Sequence, residues 1–175
     1  MKKSLVMRAV VPGIAAGAVL GALIATPDAA FAATATANLS VSATVINNCV
    51  ISTAPVAFGN YDPVDVNAAA DLDASGTVTI ACTKGSTATI GLGLGSNAAG
   101  STRRMTDGSG NFLTYELYQE AAETTVWGTT GAGLLSPAAA PSKAARNFTV
   151  YGEVAANQDI TAGSYTDTVV ATVNF

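Results

Sequence analysis

The chain contains short runs in which apolar and polar residues alternate, and the first of them extends from Ala35 to Val45. Alternation with a period of two places every second side chain on the same face of a β-strand. The polar face of this run carries only threonine, asparagine and serine. The apolar face carries Ala35, Ala37, Leu39, Val41, Ala43 and Val45.

Five further runs alternate in the same way, and clusters of Gly, Ser, Asn or Pro separate them. No apolar stripe at helical spacing competes with this pattern, so it predicts an all-β, antiparallel β-sandwich. The residues predicted to share inward faces are Val78, Ile80 and Cys82; Ile90, Leu92 and Leu94; Leu113, Tyr115 and Leu117; Phe148, Val150 and Val154; and Tyr165, Val169, Ala171, Val173 and Phe175.

The segments between the runs are predicted to be turns and loops. The alanines beside Pro137 and Pro141 are interpreted as loop because proline interrupts a helix. The stretch from Asp71 to Gly76 begins like a calcium-binding loop, but its twelfth position is Cys82 instead of a glutamate. We therefore predict a turn before a strand there.

Residues 1–32 have the features of a cleaved secretory signal peptide. Lys2, Lys3 and Arg8 precede an apolar run, and residues 30–32 form a small-x-small cleavage site. The run is short for a membrane anchor, which is the alternative interpretation. Residues 33–175 are therefore predicted to be exported as one mature domain without stable membrane insertion.

The charge of the mature chain limits its partners and its chemistry. Five Lys or Arg against eleven Asp or Glu disfavour nucleic acid and anionic membranes. The chain has no histidine, which excludes imidazole acid–base catalysis and histidine-dependent nucleophiles. The acidic residues fall mostly in predicted turns, and no pair is expected on facing strands. We predict no catalytic residue, no cofactor and no metal, and we do not expect an enzyme.

Cys49 and Cys82 are the only cysteines of the chain. Export to an oxidising compartment favours a disulfide between them. Two thiols without histidine supply too few ligands for a zinc site. The predicted bond would anchor the base of the first alternating run to the second.

The N-terminal run is unprotected as a strand edge, because it has neither charge nor proline from Ala33 to Asn48. Natural edge strands are normally blunted by lysine, proline or bulges, since an open edge pairs with other chains. The run is therefore predicted to pair with another chain.

Several segments resemble the spore coat protein U domain family, which includes the subunits of archaic (Csu-type) chaperone-usher pili. They are FGNYDP from Phe58, GTVTIACTKG from Gly76, the region 103–128 with its LTYELY core, FTVYGEV from Phe148, and the closing GSYTDTVVATVNF. Together these segments extend across essentially the whole mature chain.

The resemblance implies an immunoglobulin-like sandwich that lacks its last strand. In that family a periplasmic chaperone lends the missing strand, and an outer-membrane usher then exchanges it for the N-terminal extension of the next subunit. It implies a donor strand within residues 33–46, a pilin domain over residues 47–175, and a homopolymeric fimbrium on the cell surface. The C-terminal strand and assembly interface implied are Tyr165, Asp167, Val169, Val173 and Phe175.

Four side chains have alternative roles in this scheme. Asp167 is predicted to be a hydrogen-bonded carboxylate at the rim of the sheet, or else a chaperone contact. Arg103 and Arg104 are predicted to solvate a strand end, or else to meet an acidic patch of a neighbour. Trp127 is predicted to pack in the core or at its rim, or else to offer an aromatic surface to carbohydrate.

The function expected from these observations is that of a structural pilus subunit that polymerises by donor-strand exchange and serves adhesion and biofilm formation. The alternative is a secreted coat or adhesin domain of the same fold that does not polymerise. The single domain and the donor segment favour the pilus subunit.

Overall fold

The computed structural model describes residues 32–175, so residues 1–31 of the predicted signal peptide lie outside the described part. Seven β-strands and two short 3-10 helices make up the regular structure of that part. The helices are Val66–Ala68 and Gly131–Gly133. The strands are β1 (Cys49–Ala54), β2 (Leu72–Cys82), β3 (Thr89–Leu92), β4 (Arg103–Thr106), β5 (Phe112–Tyr118), β6 (Arg146–Val154) and β7 (Ala171–Asn174).

The strands form two antiparallel sheets, which confirms the predicted all-β class. The larger sheet has the order β1-β2-β6-β5-β4, and the smaller one consists of β3 and β7. The long strands β2 and β6 pair from Leu72 opposite Val154 to Ile80 opposite Arg146. They form the centre of the larger sheet, and β1 and β4 are its edges.

The core lies between the sheets and is filled by the residues that the period of two predicted. Val78, Ile80, Val150 and Val154 project into it from the central strands, and each is nearly or fully buried. Trp127 is also fully buried, as predicted for a core residue, and its indole nitrogen donates a hydrogen bond to the carbonyl of Ile90 at 2.9 Å. The inward faces of β3 and β5 contribute Ile90, Leu92, Leu113, Tyr115 and Leu117.

The predicted disulfide is present and joins Cys49 to Cys82. The two residues are opposite each other in the β1–β2 register, at the first position of β1 and the last position of β2. Both are buried at the edge of the core. The bond therefore fixes the edge strand to the central strand at one end of the larger sheet.

Two sequence predictions about strand boundaries are corrected by the structure. The turn predicted from Asp71 to Gly76 is wrong, because β2 begins at Leu72 and its polar residues Asp73 and Ser75 are exposed on the outer face. The third run ends at Leu92, and Leu94 is 41% exposed instead of inward. In both places the local pattern did not predict where the strand begins or ends, because that depends on which residues the neighbouring strands cover.

The alanine-rich stretch between Pro137 and Pro141 is a loop, as predicted. Ala140 is buried in it, and its backbone N–H donates to the carbonyl of Ser86 at 2.8 Å. Among residues 32–175, no helix is long and apolar enough to span a bilayer.

The N-terminal part of the described chain is exposed. Residues 43–175 form one compact unit, and the residues before Ala43 are assigned to another. None of residues 32–48 lies in a strand, and all of them are exposed. The alternation of residues 35–45 is therefore not used for strand pairing within the described chain.

We expect replacement of both Cys49 and Cys82 by alanine to lower the free energy of unfolding by about 3 to 4 kcal/mol, by the chain-entropy estimate for a loop of this length. Urea unfolding of the mature chain, followed through the fluorescence of Trp127, measures the change. The double variant must be insensitive to reductant, whereas the natural chain should lose the same stability when reduced. A loss below about 1 kcal/mol would contradict the estimate.

Candidate functional site: an open groove beside the last strand

The last strand of the chain is paired on one edge only. Gly93 donates its N–H to the carbonyl of Val170, and Gly91 is opposite Thr172. In an antiparallel pair the backbone groups of alternate residues point to opposite edges. The N–H and C=O groups of Val169, Ala171 and Val173 therefore point away from β3, and within residues 32–175 no strand pairs with that edge.

The segment that leads into β7 continues the same open edge. The even-numbered residues Thr166 and Thr168 accept hydrogen bonds from the N–H groups of Thr106 and Ser96. The odd-numbered residues from Tyr165 to Val173 consequently present their backbone groups on the unpaired side. This open edge spans nine residues.

A groove lies between this edge and the end of β1. Its inner part is a cavity of about 300 Å³. The floor consists of core residues from both sheets, among them Val78, Leu92, Leu117 and Val150. The walls are formed by Thr53, Ala54, Pro55, Val56 and Phe58 on one side and by Tyr165, Thr166, Asp167, Val169 and Ala171 on the other.

The groove continues into a second, wider cavity of about 880 Å³. The two cavities share four lining residues, Val56, Phe58, Met105 and Tyr165. The second cavity opens between the loop that contains Tyr61, Pro63 and Val64 and the segment from Ile160 to Ser164. A single continuous groove thus runs along the open edge, and its inner part is mainly apolar.

The inward side chains next to the groove are only half-buried. Tyr165, Val169, Ala171 and Val173 alternate with exposed neighbours, as the period of two predicted, but none reaches the burial of the central core. Phe175 was predicted to share this face and is 54% exposed. These side chains pack against the core on one side and have no strand covering them on the other. This arrangement is expected when one strand of a sandwich is absent.

Asp167 holds the lead-in segment in place. Its carboxylate accepts hydrogen bonds from the hydroxyl of Tyr115 at 2.7 Å and from the N–H groups of Ser96 and Asn97 at 2.9 and 3.2 Å. Gly95 has a φ of +92°, and a Cβ there would collide with this carboxylate. The hydrogen-bonded rim carboxylate predicted from the sequence is therefore the role that the geometry supports.

The environment keeps the Tyr115 phenol protonated. Burial, followed by the hydrogen bond to Asp167, raises the pKa of Tyr115 well above its usual range. The hydroxyl therefore remains a hydrogen-bond donor even at alkaline pH, where an exposed tyrosine would lose its proton. A stable donor at this position ties β5, on one sheet, to the lead-in segment of the other.

The interpretation of Arg103 as a residue that solvates a strand end is wrong. Its side chain is fully buried and forms an ion pair with Glu116. Its guanidinium also donates to the carbonyls of Leu92, Gly93 and Trp127 at 2.7 to 3.0 Å. Burial of a guanidinium is tolerated because its donors are satisfied in this way. Arg103 thereby joins the two sheets directly behind the groove.

Arg104 has a different environment from Arg103. Its guanidinium stacks over the ring of Phe112, 4.0 Å from the centroid, and donates to the carbonyl of Asn97 at 3.1 Å. It therefore packs along the sheet edge.

The residues that precede β1 are held by a second set of hydrogen bonds. The hydroxyl of Thr83 donates to the carbonyl of Ile46 at 3.1 Å and accepts from the N–H of Asn48 at the same distance. Ser86 bonds to the side chain of Asn47. With the adjacent disulfide, these contacts fix the chain where the N-terminal extension joins the domain.

The expectation that no acidic pair lies on facing strands is also wrong. Asp73 and Glu153 are opposite each other in the β2–β6 register, and the Glu123 carboxylate lies close to both, all three within 4.8 Å. Burial, with the negative charge of Asp73 next in importance, raises the pKa of Glu123. This cluster lies on the outer surface, and it makes that surface strongly negative.

The structure brings together only part of the predicted site. Tyr165, Asp167 and Val169 line the groove, whereas the predicted donor residues lie in the exposed residues 32–48 and remain a prediction. The sequence analysis missed Val56, Phe58 and Met105 as groove residues. The FGNYDP segment marked the position of Phe58, but only the fold shows which wall it forms.

Comparison with known proteins identifies relatives of this architecture. The family model for the spore coat protein U domain matches residues 35–172. A curated relative, Protein U of Myxococcus xanthus, is 40% identical over 190 residues, which cover 97% of this chain and all of the relative.

A solved structure is also similar to this chain. It is a chain of the pre-assembly complex of the chaperone CsuC and the tip adhesion subunit CsuE, from archaic chaperone-usher Csu pili of Acinetobacter baumannii. The TM-score is 0.54 and the identity 25%, over 75% of this chain and 40% of the length of that one. The family match and this neighbour indicate a structural, non-enzymatic protein.

We expect Asp167 and Tyr115 to act as one unit in stability. Each of Asp167→Asn and Tyr115→Phe should lower the free energy of unfolding by roughly 1.5 to 3 kcal/mol, since the first removes the charge of the acceptor and the second removes the donor of a hydrogen bond to a charged group. The double variant should lose less than the sum, which urea unfolding of all three variants measures. Tyr118→Phe, whose hydroxyl lies near Glu153 instead, is the control and should add to Asp167→Asn independently. Full additivity of the Asp167 and Tyr115 changes would contradict the coupling.

Proposed function

Because the chain belongs to the spore coat protein U domain family, we propose that it is a structural subunit of an archaic chaperone-usher pilus and polymerises by donor-strand exchange. In this mechanism the extension at residues 33–46 of one subunit fills the groove of the next. The observation that carries the proposal is the open edge of residues 165–173 beside an apolar groove.

The chemistry of the extension is complementary to that of the groove. Backbone groups of residues 35–45 would complete the ladder on the open edge, as in other cases of strand addition. The apolar face with Leu39, Val41 and Val45 would cover the half-buried side chains of the groove. Burying this face would stabilise the contact by roughly 5 to 10 kcal/mol, an upper value from the apolar area removed from water.

The alternation of the extension also defines its register. A shift by one residue would turn threonine and serine side chains into the apolar groove. The three alanines require shallow positions, whereas Leu39 and Val41 require deeper ones. The contact is therefore directional as well as strong.

The partners and the location follow from the same proposal. The similar structure is a complex of a pilus chaperone with a tip adhesion subunit, and we propose that this chain also binds a periplasmic chaperone before assembly. An outer-membrane usher would then add it to a fimbrium on the cell surface. Adhesion and biofilm formation are the roles proposed for the fibre.

A second candidate is a secreted coat domain that does not polymerise. The observation that favours it is the description of the matching family, spore coat protein U domain, which refers to a coat and covers residues 35–172. The two candidates differ in whether the groove is filled by a neighbouring subunit.

We expect Leu39→Asp to abolish fibre assembly and to leave chaperone binding intact. A carboxylate on the apolar face of the extension would have to be buried in the groove without a partner. Ser40→Asp is the matched control, since it adds the same charge on the polar face and should assemble normally. Assembly is measured as heat-resistant oligomers on a gel and as fibres on the cell surface.

Two results would decide against this proposal. Normal polymers from the Leu39→Asp variant would show that residue 39 is not buried in a neighbour. Only monomers from the correctly processed natural protein would favour the coat domain.

A further inference from the structure

The two ends of the larger sheet carry opposite charges. They are separated by the length of β2, eleven residues or about 33 Å. One end, which we call the exit end, holds Lys84, Lys143 and Arg146. Arg146 is opposite Ile80 near the end of β2, and Lys84 follows Thr83, the residue that holds the base of the extension. The N–H of Gly85 bonds to the carbonyl of Ala140, which brings the loop with Lys143 to the same end.

The other end, which we call the mouth end, is acidic and contains the wider cavity of the groove. Tyr61, Pro63 and Ile160 line the wider cavity. Asp62 lies between the first two of these residues, and Asp159 directly precedes the third. Asp71 accepts a hydrogen bond from the N–H of Ala156 at 2.7 Å, which places it at the same end. Asp65, Asp73 and Glu153 add to the negative charge there. Arg104 is the cation nearby, and it is engaged with Phe112 and Asn97.

The cations of the exit end are not neutralised within the domain. Among residues 32–175 the ion pair of Arg103 with Glu116 is the one salt bridge present. Lys84 and Lys143 are exposed. The extension itself has no charged residue from Ala33 to Asn48. The extension therefore contributes no charge to recognition between two copies, and the charged surfaces of the domain are the groups that can.

We propose that the exit end of one subunit docks on the mouth end of the next copy, and that these opposite charges steer the extension into the groove. This inference rests on the proposed function and adds the surface on which the neighbouring copy docks. The contact is head-to-tail, which produces an open fibre instead of a closed dimer. Entry from the opposite end would bring the lysines of two copies together.

The docking also fixes the direction of the donated strand. The lead-in to β7 starts at Tyr165 in the wider cavity, and β7 ends at Asn174, opposite Thr89 near the exit end. An extension whose body lies at the mouth has residue 45 near the mouth and residue 35 deeper in the groove. It therefore runs antiparallel to β7.

The salt dependence of assembly distinguishes this local attraction from the overall charge. The mature chain is net negative, with five Lys or Arg against eleven Asp or Glu, so general repulsion would be relieved by salt and assembly would accelerate. Attraction between the two ends would be screened instead, and assembly would slow. Electrostatic steering changes association rates by about 10-fold or more.

The experiment measures the initial rate of oligomer formation from freshly refolded mature monomers, between about 0.02 M and about 0.5 M NaCl. The natural chain is expected to slow as salt rises. Lys84→Gln with Lys143→Gln is expected to reduce the rate at low salt by about 10-fold and to remove the salt dependence. Ser52→Glu with Thr149→Glu is the matched control, since it changes the net charge equally at exposed positions in the middle of the sheet.

A charge exchange tests whether the two ends recognise each other. Subunits with Lys84→Glu and Lys143→Glu should fail to add to natural mouths at low salt. They should add to subunits that carry Asp62→Lys and Asp65→Lys. Recovery in the mixed pair supports direct recognition, and its absence would overturn it.

A synthetic peptide of residues 33–46 separates this inference from the proposed function. Because the peptide lacks the charged exit end, it should bind the natural chain and the Lys84→Gln, Lys143→Gln variant equally, as measured by fluorescence anisotropy. If the peptide binds and the lysine variant polymerises at the natural rate, the charge inference is wrong and donor-strand exchange stands. If neither the peptide binds nor the natural chain polymerises, donor-strand exchange itself is wrong and the inference falls with it.

Discussion

The unpaired edge of the last strand is the constraint on which the rest of this structure depends. Backbone groups from Tyr165 to Val173 that point away from β3 have no strand beside them within residues 32–175. The inward side chains of the same segment are half-buried, so hydrogen bonding and apolar burial are both incomplete at one place. A sheet edge and a groove that coincide in this way are completed together by a single added strand. The free energy of unfolding of such a domain consequently rises with the concentration of the molecule that provides the added strand.

Two charged side chains keep the incomplete edge in position. Asp167 accepts hydrogen bonds from the N–H groups of Ser96 and Asn97. Arg103 donates to the carbonyls of Leu92 and Gly93, at the end of β3, and to that of Trp127. Removing one member of such a buried set is costly because the remaining groups are left without partners. Asp167 and Arg103 therefore fix the loop at Ser96 and the end of β3 beside the groove.

The sequence predicted the local features of the fold better than the long-range ones. Alternation identified the inward residues of β2, β5 and β6 because each strand has one face in the core and one in solvent. It did not identify the start of β2, where Asp73 lies on the outer face opposite Glu153, nor the burial of Arg103. Those properties depend on neighbours distant along the chain. Alternation also predicted the apolar face with Leu39 and Val41, but only the fold shows the groove of a second copy that would receive them.

The extension and the surfaces around it divide two tasks between them. An uncharged strand in an apolar groove gives an attachment that is strong and little affected by salt, but such a segment acts only after it has reached the groove. Charged ends act over roughly 8 to 10 Å in physiological salt and orient two bodies before contact, while adding little to the final affinity. A chain with an overall negative charge would otherwise repel its copies equally from all directions. Concentrating Lys84, Lys143 and Arg146 at one end converts that repulsion into a preference for a single head-to-tail approach.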